Sequence, residues 1–239
     1  ADGYTVLVSQ FPFAANPFLY KSISYDSKAD FAPVILAGRS PMVLVVNAET
    51  PYQSTQDVIN DAKAHPGDLA YGSSGSGSSN HLAMALFERM SGTQMNQVPY
   101  RGSSPMLTDL AGGQVKVAFD ALPHALPFIQ TGKIRPLAIA NSERSPLMSQ
   151  LPTISESGVK DYEVHSWHGF MVRSGTPGNI IKKLNRDINE VLAQKDVQRI
   201  FKEQGVVPDG GSSEMFAQFI DKQMQLWQQV VRDANIPLQ

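Results

Sequence analysis

Eight consecutive residues, 72–79, are glycine or serine within Tyr71-Gly72-Ser73-Ser74-Gly75-Ser76-Gly77-Ser78-Ser79-Asn80-His81. A strand-like run, DLAYG (68–72), leads into them. An amphipathic pattern with Leu82, Leu86, Phe87 and Met90 on one face leaves them and stops at Gly92. That context is strand, loop, helix N-terminus. Such a loop presents several backbone N–H groups, and the helix dipole adds partial positive charge there. Glycine lets the backbone come close to a ligand, and serine hydroxyls add donors that rotate to fit. The chemistry suits an anion, and what is missing narrows which one. Gly72-x4-Gly77 has the spacing of a Walker loop, but Ser78 stands where lysine is required. The dinucleotide pattern Gly75-x-Gly77-x-x ends in Asn80 rather than glycine. The nucleophile elbow Gly72-x-Ser74-x ends in Ser76. A neutral-donor site for a carboxylate or a small inorganic anion remains. So does a plain capped helix start, with Ser78 or Ser79 as N-cap. Hydrogen bonds to a charged acceptor contribute roughly 1.5–3 kcal/mol each. Two or three of them with apolar contacts reach about −8 kcal/mol, micromolar affinity, without a fixed cation.

Other candidates are fewer. Asp120 closes the strand-like run VKVAFD (115–120), where open α/β sheets bind ligands; capping the turn that follows is the alternative. Tyr100-Arg101-Gly102-Ser103-Ser104 offers a phenol, a guanidinium and another helix start; Arg101 either pairs with a second carboxylate or points into solvent. The histidines are His65, His81, His124, His165 and His168. His165 and His168 face opposite ways if EVHSWHGF is a strand, so they cannot share a metal. His81, in the first turn after the loop, reads as a structural donor rather than a general base. No paired carboxylates and no Ser–His–Asp order emerge, so neither a catalytic residue nor a metal or cofactor site is expected.

The elements that must position these residues alternate. YTVLVS (4–9), PVILAG (33–38), MVLVVN (42–47), DLAYG, VKVAFD and PLAIA (136–140) read as strands of a mostly parallel sheet. Between them lie helical patterns at 54–65, at 79–90 and near Pro105. The C-terminal third is helical: Thr176 reads as an N-cap with Pro177 at the first helical position, and a long helix runs to about Asn235 with Phe216, Phe219, Ile220, Trp227, Val230 and Val231 as its core stripe. Extended stretches near 39–46 and 163–170 read as possible passages between two lobes. The fold class is α/β.

Composition agrees. The 239 residues carry a formal charge of −2 and no cysteine. That gives no electrostatic footprint for nucleic acid and excludes disulfides and thiolate chemistry. No apolar run reaches the length of a membrane span, and no segment reads as a signal peptide. The start at Ala1-Asp2-Gly3-Tyr4, directly before an apolar strand, leads to the expectation that upstream residues are missing.

Taken in order, DGYTVLVS, NPFLYKSISYD, DFAPV, YGSSGSGSSNHLA, VPYRG, LTDLAGGQVKVAFDALPHALPFIQTGKIRPLAI, RSPLMSQLPTISESG and SWHGFMVRSGTP resemble the periplasmic substrate-binding receptors of tripartite tricarboxylate transporters, the Bug family. The resemblance covers nearly the whole chain. It implies a two-lobed, type II, Venus-flytrap periplasmic-binding-protein fold, with lobe one from 1–45 and 166–239 and lobe two from 46–165. It also implies a non-enzymatic receptor that captures a small organic carboxylate between the lobes and delivers it to membrane permease subunits. The expected ligands are di- or tricarboxylates, acidic amino acids or aromatic acids, with no cofactor, no nucleic acid and no membrane insertion. A sensor feeding a signalling partner and a small-acid enzyme are the rivals. Ser73, Gly75, Gly77, Ser78, Tyr100, Gly102 and Asp120 match the family's cleft pattern, and Trp167 matches the aromatic of its returning strand; Ser74, Ser76 and Ser79 complete the loop. The resemblance also implies departures. The family's first strand, a glycine-rich turn and the first helix precede DGYT and are absent here. Phe11 and Phe13 stand where small polar residues are usual, which predicts an apolar or aromatic wall in the pocket, with core or surface packing as the alternative. Arg101 replaces a common lysine, with different donor geometry.

Overall fold

PVILAG and MVLVVN, two strands in the sequence reading, are one. In the computed structural model, which describes residues 1–238, the elements in chain order are β1 (Val6–Gln10), α1 (Phe11–Ala15), β2 (Phe31–Asn47), α2 (Thr55–Ala64), β3 (Ala70–Ser73), α3 (Ser79–Ser91), β4 (Asn96–Pro99), α4 (Ser103–Ala111), β5 (Val117–Ala121), α5 (Leu122–Gln130), β6 (Ile134–Ile139), β7 (His165–Arg173), α6 (Gly178–Leu192), α7 (Lys195–Gln204), β8 (Val207–Gly210) and α8 (Ser213–Asp233). The chain divides into two compact units, the first from residues 1–39 and 166 onward and the second from residues 40–165.

Local chemistry sets the helix ends. Ser54 and Asp57 form a capping box at the start of α2, Ser78 caps α3, and Ser212 caps α8. Each such cap satisfies N–H groups that have no partner inside the helix. Gly92 ends α3 at φ 66°, a left-handed conformation that suits glycine. α6 starts one residue later than the sequence reading: Pro177 is extended, and Thr176 Oγ1 donates to the Arg173 carbonyl at 2.7 Å instead of capping the helix.

In the first unit β1 runs antiparallel to β7, and Leu36–Arg39 of β2 runs antiparallel to β8. α1 packs on α8, with the rings of Phe11 and Trp227 4.6 Å apart. Trp167 meets Phe216 and Phe219 edge-on at 6.0 and 5.5 Å. Gly169 admits Phe216: a β-carbon there would lie 2.1 Å from its ring.

In the second unit the order is β6-β2-β5-β3-β4. β3 is parallel to both β4 and β5, whereas β2 is antiparallel to both β5 and β6. The expectation of a mostly parallel sheet is thus corrected to a mixed one. Continuous apolar runs report burial on both faces, not direction, and internal antiparallel strands under helices share that pattern. The rings of Phe87, Phe119 and Tyr162 pack together in this unit's core, and Tyr162 donates its hydroxyl to the Ala83 carbonyl at 2.7 Å. Because β3, β4, β5 and β6 all point the same way, their carboxyl ends share one edge. The chain leaves β3 toward β4 on one side, then returns past β3 to β5 on the other. Open α/β sheets bind ligands where the connections part in this way.

Candidate functional site: the carboxyl edge of the second unit

The glycine-serine loop follows β3 at that edge. Its serines fall into two groups. Ser73, fully buried, uses its hydroxyl as an acceptor for Gln97 Nε2 at 2.8 Å and for the Gly75 N–H at 3.4 Å. Ser74 donates to Asn80 Oδ1 at 2.5 Å. Ser78 donates to the Gly75 carbonyl at 2.6 Å and accepts from the His81 N–H at 3.3 Å as the N-cap. All three oxygens shape the loop, but only Ser74 and Ser78 use their hydroxyl protons to do so; that of Ser73 meets no acceptor among the described residues. Ser76 and Ser79 have no side-chain partner among the described residues. The N–H groups of Ser74 and Ser76 also lack one, and Ser79 and Asn80 occupy the first helical positions, whose N–H groups point out of the helix. Gly75 and Gly77, at φ 125° and 78°, give the loop a shape that other residues resist.

His81 corrects the sequence reading. Its Nδ1 accepts from the Gly77 N–H at 3.0 Å rather than donating. The ring is therefore the Nε2–H tautomer, and burial pushes its pKa down to about 4. It is neutral at physiological pH, so the loop carries no formal positive charge. Asn80 is a residue that sequence reasoning missed. It takes the Ser74 hydroxyl on one side and donates to the Phe119 carbonyl at 2.7 Å on the other, tying α3 to the end of β5. Its place two residues past the N-cap was the available signal.

The remaining predicted residues of this unit join the same edge. The Tyr100 N–H donates to the Ser73 carbonyl at 2.9 Å. The Tyr100 hydroxyl is held by Asp109, and burial, then that bond, pushes its pKa up. Gly102, at φ 113°, opens α4. Arg101 is exposed, with no ion pair among the described residues. Asp120 is 2% exposed. Its Oδ1 accepts from the Ala121 N–H at 2.7 Å and from the Ser103 hydroxyl at 3.1 Å, with His124 Nδ1 at 3.4 Å. Its Oδ2 is buried without a partner. A buried acceptor left unmade costs about 1–3 kcal/mol, so this atom suits a bound donor or a water. Asp120 and His124 are four apart across the start of α5, a spacing that brings them together and that the sequence displayed.

Phe11, Phe13 and Trp167 are placed differently. They belong to the core of the first unit, at 1%, 8% and 0% exposure. Phe13 packs on Tyr25 and Phe31. The aromatic-wall expectation for Phe11 and Phe13 therefore gives way to core packing, and Trp167 is enclosed by Phe216 and Phe219 with its indole N–H unpartnered. Large apolar rings gain about 1.5–3 kcal/mol from full burial, which decides their position.

Comparison with known proteins agrees with the fold. A family model described as the tripartite tricarboxylate transporter family receptor matches residues 1–236. The protein BugT of Bordetella pertussis is 37% identical over 240 residues, spanning 100% of this chain and 74% of that protein. The R. palustris protein Rpa4515, solved with adipate, superposes with a TM-score of 0.93 at 38% identity, over 100% of this chain and 80% of that one. MatC from Rhodopseudomonas palustris, solved with bound malate, superposes with a TM-score of 0.86 at 29% identity, over 96% of this chain and 80% of that one. Among the described residues no helix is long and apolar enough to cross a membrane. An α/β periplasmic-binding-protein fold, matched along its length by this family model and these proteins, places the chain in the receptor family of the tripartite tricarboxylate transporters, a family of solute-binding proteins rather than enzymes.

Proposed function

We propose that this chain is a periplasmic receptor that captures a small organic carboxylate at the carboxyl edge of its second unit and hands it to membrane permease subunits. The observation that carries this reading is the split among the loop serines. Ser74 and Ser78 spend their hydroxyl protons on shaping the loop, which leaves the hydroxyl protons of Ser73, Ser76 and Ser79 and the N–H groups of 74, 76, 79 and 80 directed at no protein acceptor. A carboxylate has two oxygens and about four acceptor positions, fewer than these donors, so the loop can saturate it. Gly75, Gly77 and Gly102 allow close backbone approach, and the Tyr100 backbone steadies the loop from beside it. Asp120 accepts from a ligand hydroxyl or amine, or orients a water, through Oδ2. Arg101 supplies an exposed cation for a second carboxylate. The bound adipate and malate of the two R. palustris relatives are carboxylates of this size.

Thermal-shift screening of the full chain against adipate, malate and a wider panel of di- and tricarboxylates, acidic amino acids and aromatic acids tests this. A ligand that binds only the folded state raises the melting temperature by mass action, by about 2.7 kcal/mol of stability at a hundredfold excess over Kd. A flat response to every acid would reject the receptor reading.

A further inference from the structure

Asp120 poses an electrostatic problem for an anion site. Its carboxylate is almost fully buried at the edge where the ligand carboxylate is proposed to lie. Left uncompensated, it would repel that ligand. Its two nearest hydrogen-bond donors, the Ala121 N–H and the Ser103 hydroxyl, are neutral. The third group at Oδ1 is the His124 imidazole, with Nδ1 at 3.4 Å. The His124 side chain is 61% exposed, so its ring is open to solvent and to a solute.

The surroundings of His124 single out this pair. α5 packs against α4, β5 and β6. From β5 the charged group is Asp120 itself. α4 contributes the Ser103 hydroxyl and Asp109, the latter occupied by Tyr100, and Arg101 lies exposed just before it. β6 contributes Arg135, whose guanidinium is spent on the carbonyls of Ala48, Thr50 and Tyr52. The His81 ring beside the loop is neutral: burial holds its pKa down to about 4, and its Nδ1 accepts from the Gly77 N–H.

We propose that His124 is the charge-compensating and selectivity residue of this site: as imidazolium it neutralises Asp120 through Nδ1–H and offers Nε2–H to the bound carboxylate, so that ligand binding takes up a proton at His124. This rests on the carboxylate-receptor reading. The bond to Asp120 already pushes the His124 pKa upward, against the opposing effect of burial, and a second carboxylate nearby pushes it further. Affinity is then full below the raised pKa and declines as pH rises through it. One facing anion strengthens proton binding at such a group about tenfold, so the affinity ratio across the titration is about tenfold as well.

Isothermal titration of the full chain with adipate and with malate, from about pH 8.5 down to about pH 6.5 across the ordinary imidazole range, tests this. In buffers of different ionisation enthalpy it also counts protons taken up. The expected result is about tenfold tighter binding at the acid end, with proton uptake. The H124Q variant, changed at an exposed side chain, should bind with the weaker affinity at every pH and take up no proton. H65Q, at a histidine paired with Asp61 on α2, should behave as the unmodified chain. Binding of equal strength at both ends of the range, or the same pH dependence in H124Q, overturns this proposal and leaves the receptor reading standing. No binding of either acid, nor of any acid in the thermal-shift panel, overturns both.

Discussion

Two strand-to-helix junctions in this molecule have opposite fates. In the first unit β1 passes straight into α1 through Gln10, with no intervening loop and no side-chain cap, and Phe11, Phe13, Ala14 and Ala15 go into the core. In the second unit β3 passes into α3 through Ser74–Ser78, and glycine and serine hold the backbone open. Both junctions begin at a strand's end, a place where a ligand could bind. Phenylalanine closes the first because its burial outweighs anything a solvated ring offers. At the second no side chain is large enough to fill the space, so N–H and O–H groups stay uncommitted. The fold supplies the position; the residue types decide whether it closes into core or stays open.

The sharpest way to break this contrast is Phe11→Ala. If the ring is core, the variant loses about 3–5 kcal/mol, read from urea unfolding followed by tryptophan fluorescence, since Phe11 touches Trp227. Its folded fraction should keep the same preference among acids. A changed preference with unchanged stability would return Phe11 to a ligand pocket.

Next in size is Gly75→Ala. Its φ of 125° makes the loop resist a side chain, and a β-carbon there would stand 3.5 Å from the Tyr100 carbonyl oxygen. About 1–2 kcal/mol of stability should be lost, together with most of the thermal response to carboxylates. Gly92→Ala, at the left-handed cap ending α3, should cost a similar amount and leave the response intact. Equal effects on binding would mean that the loop acts only through stability.

A third test concerns the helix behind the loop. Glu88 on α3 is mostly buried, and burial pushes its pKa up to about 7, against the Met95 N–H that it accepts. The folded state therefore holds a proton that the unfolded chain releases at lower pH. Stability from this group falls as pH rises from the usual carboxylate range to about 7 and is level beyond. Glu88→Gln should remove that slope and add about 1–2 kcal/mol at neutral pH, after allowance for partial exposure. Melting temperatures that keep the same pH slope would refute the assignment.

The smallest contrast lies within the loop. Ser78→Ala removes the cap and should cost about 1 kcal/mol. Ser76→Ala touches no protein partner and should leave the melting temperature in place while weakening carboxylate binding, measured by titration calorimetry. If both variants behave alike, the division between shaping and binding serines is wrong.

Much of this was legible in the sequence, for stated reasons. Capping residues Ser54, Ser78 and Ser212 act within one turn, so local pattern places their helices. The apolar stripe of α8 is likewise local, and Trp227 lies buried within it. Strand direction was not legible, because a run buried on both faces looks the same in either sense. Nor was the joining of PVILAG to MVLVVN across Gly38–Pro41: glycine and proline commonly break strands, yet both are tolerated in β2. At the site, the sequence pointed to the loop and to Asp120. The place of Asn80 just past the N-cap hinted at a role, but not that it would tie the loop to the end of β5, since its partner Phe119 is 39 residues away.

The amino-acid sequence by itself determined that uncharged donors would gather at the start of α3, because glycine, serine and a helix N-terminus act over a few residues. Only the tertiary structure decided which serines remain uncommitted and that Ser103 reaches Asp120. It also decided that Phe11, Phe13 and Trp167 are core. Those outcomes depend on partners distant in the chain and on the free energy of burying each group, which no local pattern contains.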